Sequence, residues 1–420
     1  MNNLILTSIF LTTLSLVCSL SGTFWQMTDQ HYDWAYKPGS NPVRGVCREG
    51  KGLAGLYGDY NCDVPWSVIE SAIKKMKEID PNPDFILNSG DSYPHAGGTI
   101  DDVAETVKNT TEILRKYFPD TPIIYSPGNH DFYPCHCCPA GPNFWLAVLS
   151  DQIKPLLNEE QRATFAQGGY YSTVVGDLRI VSLNTVLYYS QNKDTAKGEG
   201  DLSEQYAFVK SELDKAKKYN QKVLIVGHVP PGFDCDGGGH QFHPQFNVPY
   251  LQAFDTHPEK SRIIGQIYGH THHDSYRLSN GSGVLFVAPS VDPWLDFWAQ
   301  NQTANNPAMA RRFFYDQDNL NLLKYEQYWM DLTLANLNDK IDWQLEYQSD
   351  KAPFYLPDLS LKSFINLTYK LENDLVLFDN YYNLHYVQYP QIQCNSLCKK
   401  KQICGLKYLY DSDYEKCRKN

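Results

Sequence analysis

Short uninterrupted apolar runs alternate along this chain with longer segments whose apolar positions recur every three or four residues. The runs at 24–27, 85–87, 123–125, 178–183, 223–226, 263–268 and 284–288 are too short for helices and carry the β-branched and aromatic residues of buried strands. Between them, 66–79 places Val68, Ile69, Ala72, Ile73, Met76 and Ile79 on one helical face with lysines opposite. Segments 101–117 and 204–217 read as helices in the same way. This alternation predicts an α/β core, which gathers ligands at the carboxyl ends of its strands. From about Tyr355 the text becomes rich in Asn, Tyr and Lys, helical in places, and ends in the Cys394–Cys417 cluster. The expected organisation is a leader over 1–21, a catalytic domain over 22–354 and a helical, disulfide-pinned subdomain over 355–420.

Composition narrows the class. The 420 residues are 42% hydrophobic and 20% charged, as in a globular protein with a substantial core. A net charge of -11 argues against a general binder of nucleic-acid polymers or anionic membranes. A phosphate substrate stays compatible, because bound divalent cations reverse the local sign. Residues 4–20 are apolar apart from Ser, Thr and Cys18, and small residues follow at Ser19 and Ser21. They read as a secretory signal cut near Ser19 or Ser21, with a short membrane anchor as the alternative. No later run is long enough to cross a bilayer.

Behind such a leader, the even set Cys47, Cys62, Cys135, Cys137, Cys138, Cys235, Cys394, Cys398, Cys404 and Cys417 reads as disulfides. Cys47 with Cys62, and the last four among themselves, are the natural local pairs. Cys135-His136-Cys137-Cys138 could instead form a zinc clip with Cys235. Acceptor sequons at Asn109, Asn280, Asn301 and Asn366 fit the same compartment. The expected location is extracellular or lysosomal, and the expected state a monomer.

The candidate chemistry sits where the strands stop. Thr28-Asp29-Gln30-His31 follows the first run, Gly90-Asp91 the second, and Gly128-Asn129-His130-Asp131 the third. Gly227-His228 and Gly269-His270-Thr271-His272 follow two later ones. Asp29 and His31 are expected on one face of an extended segment, where both reach a single ion. Asp29, His31, Asp91, Asn129, His228, His270 and His272 are enough side chains for two divalent ions, with Asp91 as the natural bridge. A nitrogen and oxygen set rich in histidine and free of thiolate favours zinc over iron or manganese. His240 and His243 fall in a glycine-rich loop near the expected rim, and His273 is expected to point away from the ligands.

The order D-x-H, GD, GNHD, GH, GHTH resembles the signature of the calcineurin-like metallophosphoesterases. The stretches 57–63, 90–95, 168–171, 182–184 and 265–272, with the C-terminal four-cysteine pattern, resemble acid sphingomyelinase and its sphingomyelinase-like phosphodiesterase relatives. The resemblance implies a four-layered α/β/β/α metallophosphoesterase sandwich with a small helical C-terminal subdomain. It implies two Zn2+ ions, one held by Asp29, His31, Asp91 and His272, the other by Asp91, Asn129, His228 and His270. It further implies in-line attack on phosphorus by a hydroxide bridging the ions. His130 and His95 match the family's two catalytic imidazoles; the spacing alone would leave His95 a loop residue. Asp131 is expected to orient His130.

The expected organisation has only a leader ahead of Asp29, where acid sphingomyelinase carries a saposin-like lipid-handling domain. Soluble phosphodiesters and nucleotide-like phosphoanhydrides are therefore the expected substrates, with sphingomyelin as the alternative. An inactive secreted binding protein on the same scaffold is the reading from another class. A purple acid phosphatase would place a tyrosine ligand at the position of Pro94, one residue after Tyr93.

Overall fold

The chain is described by a computed structural model over residues 21–43, 45–294, 304–390 and 393–419. Residues 1–20 of the expected leader and the sequon at Asn301 lie outside the described residues; Ser21 opens the first strand. The strands are β1 (Ser21–Met27), β2 (Asn41–Val43), β3 (Val46–Glu49), β4 (Phe85–Asn88), β5 (Ile123–Tyr125), β6 (Tyr171–Val175) and β7 (Leu178–Ser182). They continue with β8 (Lys222–Val226), β9 (Ile263–Tyr268), β10 (Ser275–Ser279), β11 (Gly283–Val287), β12 (Ala308–Asp316), β13 (Leu322–Trp329) and β14 (Gln344–Gln348). Two six-stranded sheets result, ordered β14-β13-β12-β1-β4-β5 and β10-β11-β9-β8-β7-β6, beside the small hairpin β2–β3.

Parallel pairing sets β1, β4 and β5 side by side in the first sheet and β7, β8, β9 and β11 in the second. Each strand sends alternate residues to opposite faces. On the first sheet Trp25, Ile86 and Ile123 form the outer face, against the apolar stripes of α1 (Trp66–Ile79) and α2 (Ile100–Tyr117). Phe24, Phe85 and Leu87 form the inner face. There Phe24 stacks on Phe85 and Phe313, and Phe313 meets Phe286 of the second sheet edge-on at 5.5 Å. Burying an aromatic or aliphatic side chain in such a layer contributes about 1.5–3 kcal/mol. The α2 helix begins at a reciprocal cap between Thr99 and Asp102, which satisfies amides that otherwise have no partner.

The other helices are α3 (Phe144–Gln152), α4 (Glu159–Gly168), α5 (Gln205–Lys218), α6 (Pro244–Asp255), α7 (Leu332–Asn338), α8 (Leu361–Asn373), α9 (Leu375–His385), α10 (Ser396–Lys407) and α11 (Asp411–Lys419). The apolar residues of α5 and α6 cover the outer face of the second sheet, completing the α/β/β/α order of layers. The helices α8 and α10 pack on β10, beside the rim of the central strands. Disulfides join Cys47 to Cys62, Cys394 to Cys398 and Cys404 to Cys417, the local pairs expected from sequence. Cys137, Cys138 and Cys235 differ from that expectation and carry free thiols. Cys138 is buried with its sulfur 3.3 Å from the Asn184 amide, while Cys235 is buried against Gly405 of α10. Those two surroundings give neither a shared disulfide nor a zinc clip.

Among the described residues no helix is long and apolar enough to cross a membrane.

Candidate metal centre and active site

Five loops leave the carboxyl ends of β1, β4, β5, β8 and β9 and converge between the sheets. Asp29 and His31 follow β1, Asp91 follows β4, Asn129 and His130 follow β5, His228 follows β8, and His270 and His272 follow β9. The extended face expected for Asp29 and His31 is not what brings them together. Both have left-handed backbones, with φ of 51° and 38°, as do Asp91 (57°), His270 (73°) and His272 (60°). Non-glycine residues held there cost roughly 1–3 kcal/mol each and persist where the surroundings over-determine them. Gly128 is required by contact: a Cβ there would lie 2.1 Å from Asp91 Oδ1.

The seven side chains predicted as ligands meet in one cluster. His31 Nε2 lies 3.1 Å from His272 Nε2 and 3.6 Å from Asp91 Oδ2, and His272 Nε2 lies 3.5 Å from Asp29 Oδ1. On the other side of Asp91, His228 Nε2 lies 3.1 Å from the same Oδ2 and 3.2 Å from Asn129 Oδ1. His270 belongs with Asp91 and His228, and among the described residues its buried Nδ1 has no hydrogen-bond partner. Asp91 therefore faces both groups through one oxygen, while its Oδ1 accepts the His130 amide at 2.8 Å.

Backbone carbonyls set the ring nitrogens. Nδ1 of His31, His228 and His272 lies 2.8, 2.7 and 3.0 Å from the carbonyls of Tyr93, Ser89 and Trp294. A ring that donates through Nδ1 keeps, when neutral, a bare lone pair on Nε2. The lone pairs of His31 and His272 then face each other across 3.1 Å, an arrangement that calls for a cation between them. Ligand atoms about 2.0–2.1 Å from a tetrahedral zinc ion sit roughly 3.3 Å apart, near the spacings observed. The donor set thus fits divalent metal.

The electrostatics agree. Burial depresses His31, and the neighbouring His95, His272 and His130 rings add to the effect. Burial likewise pushes His130 and His270 below the ordinary imidazole value. His228 is the opposite case: burial lowers it, but Asp91 and Asp29 outweigh burial and raise it to about 9. Burial would raise Asp29, yet His228 and His272 hold it below the usual carboxylate range. The two carboxylates create a demand for positive charge that a proton or a metal ion can meet.

His95 and His130 stand beside this cluster, their rings 4.6 Å apart, with His95 stacked 3.8 Å from His31. Asp63 fixes His95: Oδ1 lies 2.6 Å from its Nδ1, and Oδ2 accepts its backbone amide at 2.8 Å. Among the described residues, the buried His130 Nδ1 has no hydrogen-bond partner. Asp131 does not orient His130 as expected. Its carboxylate instead accepts the amides of Asp91, Ser92 and Gly128 and the Tyr125 hydroxyl, shaping the turn that projects Asp91. The Tyr93 hydroxyl donates to the Gly97 carbonyl, so it is not offered to the cluster as a tyrosinate ligand would be.

A cavity of about 620 Å³ opens above the cluster, within the range of small-ligand sites. His95, Asn129, His130, His270 and His272 line its floor. The glycine-rich loop expected at the rim contributes Asp236, Gly237 and Gln241 to the wall, while His136, Tyr189, Tyr382, Tyr386 and Lys401 were not anticipated from sequence. His273 points away from the ligand pair, as expected: the turn after β9 directs it towards Asp236, 3.1 Å distant, and it borders the cavity there. His240 and His243 do not line it; His240 lies 3.6 Å from Asp411 and His243 bonds the Asn192 carbonyl. The His in Cys135-His136-Cys137 was the available signal for His136; the tyrosines come from distant segments.

Residues 22–274 match the profile of the calcineurin-like phosphoesterases, and residues 281–420 that of the acid sphingomyelin phosphodiesterase C-terminal region. The chain belongs to the acid sphingomyelinase-like branch of the calcineurin-like phosphoesterases. It is similar to sphingomyelinase phosphodiesterase C of Dictyostelium discoideum, 34% identical over 99% of this chain and 98% of that protein. The human acid sphingomyelinase-like phosphodiesterase 3b is 36% identical over 94% of this chain and 90% of its own length. The human cyclic GMP-AMP phosphodiesterase SMPDL3A is 33% identical over 95% and 90%. Calcineurin-like phosphoesterases are dinuclear metal enzymes, and the chain is a metal-dependent phosphodiesterase of this family.

Proposed function

We propose that this protein is a secreted or lysosomal two-zinc phosphodiesterase that hydrolyses soluble, nucleotide-like phosphodiesters or phosphoanhydrides. The observation that carries this reading is Asp91, whose Oδ2 stands between two donor sets on the floor of a polar cavity. Asp29, His31, Asp91 and His272 would hold one ion, and Asp91, Asn129, His228 and His270 the other. Bound there, divalent cations supply Lewis acidity at the phosphoryl oxygens and lower the pKa of water.

The chain's own residues do the rest. Carbonyls of Tyr93, Ser89 and Trp294 keep three imidazoles turned with Nε2 inward. Asp63 holds a proton on His95 Nδ1, so Nε2 is the atom that exchanges a proton with the departing oxygen. His130 lines the cavity floor beside His95, where its ring is placed to contact a phosphoryl oxygen. The cavity accommodates a nucleotide-sized group, and its Asp, His, Gln and Lys side chains suit a polar substrate better than an acyl chain.

Sphingomyelin hydrolysis is the second reading. Ile365 and Tyr369 on α8 and Leu375 and Val376 on α9 are exposed, an apolar feature that a lipid surface could meet.

The test is hydrolysis by the purified, zinc-supplemented protein of bis-p-nitrophenyl phosphate, ATP and sphingomyelin in detergent. His130→Ala is the control, alongside a measurement of bound zinc. Turnover of the soluble esters but not the lipid is expected. Comparable lipid turnover would move the protein to the second reading, and bound zinc without turnover would make it a binding protein.

A further inference from the structure

The loop that leaves β5 folds back on its own beginning. The His136 amide donates to the Asn129 carbonyl at 2.8 Å, and the His136 ring brings Nδ1 to 3.0 Å from Asn129 Nδ2. His136 adopts a left-handed backbone, with φ of 68°, while making both contacts. One backbone and one side-chain hydrogen bond thus join the same two residues, seven positions apart. The ring lines the cavity and stands edge-on to His130, with centroids 4.9 Å apart.

These contacts bear on which end of the Asn129 carboxamide meets the metal centre. Oδ1 and Nδ2 exchange places on a half-turn about the last side-chain bond, and only the oxygen has a lone pair to give a cation. The metal side does not select the oxygen by itself. His228 Nε2 lies 3.2 Å from Asn129 Oδ1 and 3.1 Å from Asp91 Oδ2. Because His228 Nδ1 donates to the Ser89 carbonyl, Nε2 of the neutral ring is bare, and a bare nitrogen beside a carboxylate attracts N–H groups. Such a setting favours the Nδ2 end of the amide. His136 Nδ1 supplies the competing acceptor that holds Nδ2 on the opposite side. A proton on Nδ1 would set two donors against each other across 3.0 Å, so the ring is the neutral tautomer protonated at Nε2.

We infer that His136 is a positioning residue whose Nδ1 fixes the Asn129 carboxamide with Oδ1 turned to the ion assigned above to Asp91, Asn129, His228 and His270. This inference rests on the two-zinc reading and deepens it. It gives the Cys135–Cys138 segment a part other than a zinc clip: the segment carries an imidazole that acts on a metal ligand through a hydrogen bond. Partners of this kind orient a ligand before the ion arrives, and their loss costs about 10- to 100-fold in metal affinity. The ion assigned to Asp29, His31, Asp91 and His272 does not use Asn129, so its affinity separates an effect on this one ligand from general damage to the centre.

The experiment titrates zinc into the full-length, metal-stripped protein in competition with a chelator and counts the ions bound by elemental analysis. The variants are His136→Gly and His136→Asn, both tolerant of a left-handed backbone. Asn keeps an acceptor oxygen in the place of Nδ1, and Gly keeps none. In His136→Gly one of the two ions is expected to bind about 10- to 100-fold less tightly while the other keeps its wild-type affinity, and His136→Asn should recover most of the loss. In an Asn129→Asp background, where both ends of the side chain are oxygen, His136→Gly should cost nothing further. Equal weakening of both ions, unchanged affinity in His136→Gly, or a penalty that persists beside Asn129→Asp overturns the inference and leaves the two-zinc reading intact. Wild-type protein that binds fewer than two zinc ions overturns that reading and the inference with it. Should His136→Gly not fold, NMR of the imidazole nitrogens in the zinc-loaded wild-type protein decides. A His136 ring protonated at Nε2 alone supports the inference, and a proton on Nδ1 overturns it.

Discussion

Asp131 holds Asp91 by its backbone, not by its side chain. Asp131 Oδ2 accepts the Asp91 amide at 3.0 Å, together with the Gly128 amide and the Tyr125 hydroxyl, and Oδ1 accepts the Ser92 amide at 2.8 Å. Four donors meet a fully buried carboxylate. In Asp131→Asn one edge of the carboxamide presents N–H groups to those donors, leaving buried groups unmatched. The variant should lose about 2–3 kcal/mol of stability in denaturant unfolding and bind less zinc. A variant of unchanged stability with a defect confined to kcat would instead return Asp131 to a role on His130.

Gly128 controls the same turn from the other side. A Cβ at this position would come within 2.1 Å of Asp91 Oδ1 and 2.2 Å of the Asp91 amide nitrogen, neither of which can yield without moving the carboxylate. Gly128→Ala should lower kcat/KM on bis-p-nitrophenyl phosphate on the order of 100-fold, as displacements of about 1 Å do in a positioned site. Gly239→Ala is the matching control, because an added Cβ there meets nothing within 4 Å. Its activity should equal that of the wild type.

Much of this arrangement is legible in the chain because the central strands are parallel and buried on both faces. Such strands read as continuous apolar runs, and the runs ending at Asn88, Tyr125, Val226 and Tyr268 deliver Asp91, Asn129, His228, His270 and His272 to one edge. The strands β12, β13 and β14 were not anticipated, because antiparallel strands here carry charge inward. Arg311 of β12 is buried and pairs with Asp274 at 2.6 Å, a match invisible without the fold. The left-handed backbones of Asp29 and His31 also leave no periodic trace. The wall built by Asp236, His385 and Gln402 joins loops and helices far apart in sequence, and only tertiary packing reveals it.

The cysteines give a prediction in which burial opposes reactivity. Cys138 and Cys235 are buried, and burial pushes both thiols up to about 12. The thiolate is the reactive form, so native protein at pH 8 should leave both unmodified by iodoacetamide. After unfolding in guanidinium, without reductant, both should be alkylated. Mass spectrometry of the peptides checks this. Failure of either to react after unfolding would show it engaged in a disulfide.

His385 gives the protein a stability term that depends on pH. Burial lowers its pKa, but the Asp236 charge and the hydrogen bonds to Asp236 and the Asp274 carbonyl outweigh burial and raise it above the ordinary value. The groups facing it are Asp236 from the loop after β8, Asp274 and His273 after β9, Tyr381, Tyr382 and Tyr386, and Gln402 on α10. A raised value means the folded state holds the proton more tightly than the unfolded state does. The contribution is complete below the unfolded imidazole pKa of about 6.5 and is lost as pH rises through the folded value. Asp236 has the opposite sign: burial would raise it, His385 and His273 outweigh burial and lower it, and its contribution is lost only as pH falls below the ordinary carboxylate range. Above the unfolded imidazole pKa the His385 term therefore acts alone of the two, and wild-type melting temperature should decline as pH rises from there through the raised folded value. His385→Gln should be less stable at pH 6 and show a flatter profile, so the two curves converge towards alkaline pH. Parallel curves would mean that the His385 ring is neutral in the folded protein and that Asp236 draws its compensation from Tyr386 and Gln402.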